Sequence, residues 1–129
     1  MTREEFVIQD REEELRVADM YHQAGLISHQ RGDLDGALDW FGKALEIRYD
    51  LRDRLGMALT FREMGLIAEQ REDFDEALRW HQGSLTIYQD LNDLDGQKAA
   101  YTRIGDVCRL MTQSGGSALP DNAQNASNH

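Results

Sequence analysis

The chain has 129 residues and a formal net charge of −10, from 14 basic and 24 acidic side chains, with one cysteine and one proline. A surface this acidic repels phosphate backbones and anionic lipid, so nucleic-acid and membrane binding are not expected; solubility accounts for the charge, and a basic partner is the sharper reading. No apolar run approaches the roughly 18 residues that cross a bilayer. The opening MTREEFVIQD has no apolar core of a secretory signal. Cys108, alone, closes no disulfide and reads as a small buried thiol in a reducing compartment, so a cytoplasmic location is expected.

The first predicted element is a partial one. Val7 falls in register with Ile47 and Ile87, and Asp10 with Asp50 and Asp90, so residues 1–16 read as the end of a preceding half-repeat. Residues 17–56 and 57–96 then form two whole units, identical without gaps at 17 of 40 positions. Unrelated sequences of this composition would match at about two or three, so the unit is a duplication.

Each unit resolves into two helices. In the second, Ala58, Phe61, Met64, Gly65 and Ala68 recur at three and four residues, which draws one apolar helical face ending near Glu72. Asp73 stands three residues before Glu76, the spacing of a capping box that opens the next helix. Ala77, Leu78, Leu85 and Tyr88 supply the face of that helix, with Trp80 and Ile87 beside them. In the first unit Gly36 replaces the glutamate, so Asp33 is expected to cap alone; Asp53 and Asp93 are the candidate caps for the helices that follow.

Residues 97–113 read as the first helix of a third unit, with Tyr101, Ile104, Cys108 and Met111 on a face awaiting a second helix. Residues 114–129 are Gly-, Ser- and Asn-rich, the composition of a flexible tail. Either the last helix is a terminal cap, polar outward through Arg103, Asp106 and Arg109, or its open face pairs with the N-terminal half-repeat of another copy. Glycine inside a helix costs about 1 kcal/mol against alanine. Gly25, Gly65 and Gly105 share one phase, so a close helix crossing is expected at each.

These residues resemble the tetratricopeptide repeat. Tyr21, Phe61 and Tyr101 stand where its first helix carries an aromatic four residues before the glycines Gly25, Gly65 and Gly105. Ala37 and Ala77 match the alanine early in its second helix, and Ala44 and Ser84 its later small residue. The period of 40 exceeds the usual 34, and no proline closes the second helix, which is similar to the longer-repeat subclass of G-protein-signalling modulators and bacterial multi-repeat proteins. The resemblance implies an all-α solenoid of antiparallel helix pairs wound into a right-handed superhelix, its first helices lining a concave groove that takes a peptide or amphipathic helix.

On that mapping the groove residues are His22, Leu26 and His29, then Arg62, Leu66 and Glu69, then Thr102, Asp106 and Arg109, with Gln23, Glu63 and Arg103 at the rim. The set lacks the lysines and asparagines with which some members of the family hold a C-terminal carboxylate. Leu26 and Leu66 form either an apolar pair for a partner or ordinary packing between helices.

No catalytic constellation accompanies the pattern. His22 and His29 lie seven apart without a carboxylate at metal-ligand spacing, His81 and His129 lie elsewhere, and solvated or groove-lining histidines are the expectation. There is no CxxC, no GxSxG and no phosphate-binding glycine loop, and Asn125-Ala126-Ser127 is a chance glycosylation sequon in a polar tail. Trp40 and Trp80 share a phase as packing residues. The expected function is a non-catalytic, cofactor-free protein-interaction module that also self-associates through its open ends; a regulatory or sensory segment of a larger signalling protein is the alternative.

Overall fold

The computed structural model describes residues 1–114 as five α-helices: α1 (Arg3–Gln30), α2 (Leu34–Asp50), α3 (Arg54–Gln70), α4 (Phe74–Asp90) and α5 (Leu94–Gln113). The expected flexible tail beyond residue 114, with the chance sequon and His129, lies outside the described residues. Each helix packs on its neighbour in the chain, so the pairs α1/α2 and α3/α4 form hairpins, with α5 against α4.

All four links are built alike. A residue with positive φ follows each helix's C-cap: Gly32 (φ 80°), Arg52 (58°), Glu72 (59°) and Asn92 (55°). The aspartate after it closes the turn by donating its backbone N–H to the carbonyl five residues back, Asp33 to Ser28 and Asp53 to Arg48, for instance. Left-handed backbone suits glycine and asparagine; at Arg52 and Glu72 it costs about 1 kcal/mol each.

The aspartates also begin the next helix, but not as a capping box would. Asp33, Asp53 and Asp93 accept from the N–H of Gly36, Gly56 and Gly96 at 2.9, 3.1 and 3.0 Å. Asp73, three residues before Glu76, makes no side-chain cap bond, so that expected box is absent. The reason is steric. A Cβ on Gly36 or Gly56 would collide with the capping carboxylate, and Glu76 carries one. The capping box forms instead at the chain's start, where Thr2 Oγ1 accepts from Glu5 N–H and Thr2 N–H donates to Glu5 Oε2.

The turn that a preceding half-repeat would need near residues 11–13 is absent, because α1 runs unbroken for 28 residues against 17 in α2. Arg11-Glu12-Glu13 stands where Leu51-Arg52-Asp53 and Leu91-Asn92-Asp93 turn, and Arg16 where Gly56 and Gly96 receive the cap. Arginine and glutamate are strong helix formers and poor caps, so the helix continues. Its first turns project past α2, with Phe6, Val7 and Ile8 more than half exposed.

Three apolar clusters hold the stack. Ala37 and Phe41 of α2 meet Met64 and Ile67 of α3; Ala58, Ile87, Tyr88 and Ala100 join α3, α4 and α5; Ala68, Ala77, Val107 and Met111 join the same three helices further along. The buried row of α4 is Ala77, His81, Ser84, Ile87 and Tyr88, so Ile87 is inside rather than beside the face, and Leu78, Trp80 and Leu85 edge it.

The close crossing occurs twice. A Cβ on Gly25 would stand 2.6 Å from Phe41 Cε1 and one on Gly65 2.5 Å from His81 Cε1, whereas one on Gly105 meets nothing within 4 Å. No helix among the described residues lies over that side of α5. For the same reason Cys108, expected to be buried, is exposed, and Tyr101 is 56% exposed. Met111, assigned to the open face, is buried against α3 and α4 instead.

Candidate partner-binding surface

The first helices of the pairs, α1 and α3, together with α5, carry the sequence-predicted groove residues, and their side chains divide sharply. On α1, Leu26 packs onto the Ala37/Phe41 cluster. His29 Nε2 lies 2.8 Å from Gln70 Oε1, tying α1 to α3. His22 sets its ring edge-on to Phe41, centroids 5.1 Å apart, with Nδ1 3.5 Å from Thr60 Oγ1. Burial, then the positive charge of Arg48, pushes the His22 pKa below its ordinary value, against a smaller opposing pull from Glu63.

On α3, Leu66 is half-buried and Arg62 exposed, its guanidinium 2.8 Å from Glu63 Oε1. Glu63 itself, expected at the rim, is buried; the exposed rim position is Gln23. Glu69 turns inward, Oε2 2.8 Å from His81 Nε2. His81 is only 1% exposed, so it is an interior residue and not a solvated one. On α5, Thr102 spends its hydroxyl on the Lys98 carbonyl, Asp106 pairs with Arg109, and Arg103 is half-buried. The side chains that reach solvent on this face are Arg62, paired with its neighbour Glu63, and the half-buried Leu66, with the exposed Thr102 and Arg109 beyond.

Two polar arrangements escaped sequence reasoning. Arg48, 5% exposed, donates Nη1 to the Gly56 carbonyl and to Thr60 Oγ1, and Nη2 to Asp19 Oδ1 at 2.8 Å, bolting α2 to α1 and α3. Its Nε has no hydrogen-bond partner, with Asp53 Oδ2 at 4.0 Å. The other is the His81–Glu69 pair. Both were detectable by comparing the two units position by position. Arg48 with Asp19 becomes Tyr88 with Leu59, and Phe41 with His29 becomes His81 with Glu69, so the residues change in pairs.

A third difference opens a cleft on the side of α2 and α4. Lys43 Nζ lies over the stacked rings of Tyr21 and Trp40, 5.8 and 4.8 Å from their centroids. Its counterpart is Gly83, and the matching pair Phe61 and Trp80 has no such cover. The space left, about 910 Å³, is floored by Met57 and Phe61 and edged by Tyr49, Arg52 and Arg54.

Nothing in either surface pairs a nucleophile with a base and an orienting group, and among the described residues no three His, Cys, Asp or Glu side chains converge as metal ligands. Nor is any described helix long and apolar enough to cross a membrane. Duplicated hairpins that complete one another's cores, with side chains left free along one row of helices, define an α-helical repeat protein of the solenoid class. The tetratricopeptide-repeat family profile matches residues 16–90, and the chain belongs to that family. No curated protein matches it. Repeats of this family are in general non-catalytic and bind proteins or peptides.

Proposed function

We propose that the face formed by α1, α3 and α5 binds a peptide or amphipathic helix of a protein partner, and that the chain acts as an interaction module without chemistry of its own. The observation that carries this is the Leu66–Arg62 patch: a half-buried leucine one turn from an exposed arginine, on a helix packed between two neighbours. An apolar anchor with a cation beside it suits a partner with an apolar side chain next to a carboxylate. His22, Leu26, His29 and Glu69 act as support, fixing α1, α3 and α4 beneath that patch, while Thr102, Asp106 and Arg109 extend it. The acidity of the chain favours a soluble, cytoplasmic setting over nucleic acid or membrane. A place within a larger regulatory protein is compatible with the same face. The uncovered side of α5 supports a second reading, self-association.

The test is affinity capture from the native cytoplasm with wild type and with Leu66→Asp/Arg62→Glu. Loss of the wild-type partner from the variant, with helicity by circular dichroism unchanged, is the expected result. A variant that captures the same partner equally well refutes this site.

A further inference from the structure

Resting on the self-association reading, we propose that the contact is head-to-tail: the projecting first turns of α1 in one copy sit on α5 of another, where α2 sits on α1 and α4 on α3. Three contacts join the helices of the complete hairpins, one seen in both and two seen in one each, and each has a counterpart, 40 or 80 residues away, that is unpartnered among the described residues.

The first contact is the ring over glycine, Phe41 on Gly25 and His81 on Gly65. The same positions at the open ends are Met1, 82% exposed, and Gly105, where an added Cβ would meet nothing within 4 Å among the described residues. A flexible apolar side chain and a bare stretch of helix can meet there without repacking. The second is a small-residue contact: Ser84 Oγ donates to the Ala58 carbonyl at 2.7 Å. Its counterparts are Glu4 and Lys98, both exposed, so an opposite-charge pair replaces two small side chains. A lysine at the position of the fully buried Ala18 and Ala58 would be untenable under a helix that offered it no anion. The third is the ion pair of the buried Arg48 with the exposed Asp19, whose counterparts Ile8 and Ala99 are apolar on both sides.

Charge agrees along the whole length. Residues 3–16 carry three arginines against six carboxylates, and α5 carries three cations against two carboxylates. Complementary fields orient such an encounter and disfavour the like-with-like pairing of two α5 helices or two α1 ends. The contact joins unlike surfaces, so it repeats from copy to copy until the assembly closes into a ring or extends as a chain.

Charge reversal on the full chain tests it. By sedimentation, wild type is expected to associate with rising concentration, and Glu4→Lys and Lys98→Glu, each alone, to associate about tenfold or more weakly. An equimolar mixture of the two variants restores association, because each then meets its opposite charge on the other. In a Cys108→Ser background, chains bearing Glu4→Cys and chains bearing Lys98→Cys are expected to form a mixed disulfide on mild oxidation. Single variants that associate as wild type does, or no mixed disulfide, overturn this contact and leave self-association standing. A wild type that is monomeric even near millimolar concentration overturns both. The Leu66→Asp/Arg62→Glu variant is expected to associate normally, so the partner-binding face fails or survives separately.

Discussion

Replacing each of the three phase-matched glycines with alanine is expected to give results of opposite sign. Alanine in a helix interior is favoured over glycine by about 0.8–1 kcal/mol. At Gly105 nothing opposes that gain, since the added Cβ meets no atom within 4 Å. Gly105→Ala should therefore stabilise the chain by nearly the full amount, raising Tm by about 4 °C. At Gly25 the Cβ stands 2.6, 2.7 and 2.9 Å from three carbons of the Phe41 ring, well inside contact distance. Phe41 is fully buried among Ala37, Met64 and Ile67 and has no free space to retreat into. Overpacking of this kind costs about 1–3 kcal/mol, so Gly25→Ala should be net destabilising by up to about 2 kcal/mol. Gly65→Ala should be worse, because the ring it displaces also holds the hydrogen bond to Glu69, and a buried polar group left unmatched costs about 1–3 kcal/mol more. Urea unfolding followed by circular dichroism, at a concentration low enough to keep the chain monomeric, measures all three. A Gly105→Ala variant less stable than wild type, or a Gly25→Ala variant more stable, would refute the reading that these glycines exist for the helix that crosses them.

Arg48→Ala should destabilise by about 1–3 kcal/mol, because it strips the hydrogen bonds to the Gly56 carbonyl and Thr60, which stay buried without that donor. Asp19→Asn should cost far less, since Asp19 is mostly exposed; equal losses by urea titration would contradict a buried guanidinium as the organising group. His22 binds its proton less readily folded than unfolded, so the unfolded state takes up the proton first as pH falls below the ordinary value of 6.5. Its contribution to stability is whole above that value and is lost progressively as pH falls toward the lowered folded value. His22→Gln should flatten this part of the curve as pH falls below 6.5, and an unchanged slope would show that His22 is not the titrating group. Asp33→Ala and Asp53→Ala should each lower stability by about 1 kcal/mol, and Asp73→Ala by a few tenths at most, read from Tm shifts, because only the first two carboxylates cap.

The elements and their order were legible because two copies of one unit state the period, and because spacing at three and four residues marks helical faces whatever they pack against. Helix starts were legible as far as the aspartates. Whether a cap bond closed depended on a residue three positions on, and the rule that favours glutamate there was reversed by the tight backbone of this turn, in which the carboxylate occupies the Cβ's place. The candidate face was legible in outline only. Periodicity shows which side of a helix is polar; it does not show that Glu69 reaches inward to His81 or that Glu63 is covered, since a charged side chain on a helix flank can turn either way.

Identity between the units marks what stacking demands: glycine under a crossing ring, alanine where helices touch, aspartate in the turn. Stacking would be served as well by two identical hairpins, so what differs between them reports something else. Lys43 becomes Gly83, and a cleft opens over Phe61. Arg48 becomes Tyr88, and a buried cation that locks α1 to α3 gives way to an aromatic against Gly96. At the third occurrence Ala18 and Ala58 become Lys98, over which no described helix packs. Each departure removes or adds charge at a place the fold holds constant, and the first and third lie on a surface where another polypeptide can be met. In a repeat protein the conserved positions explain the shape, and the mismatches between copies are where specificity for a partner can be written.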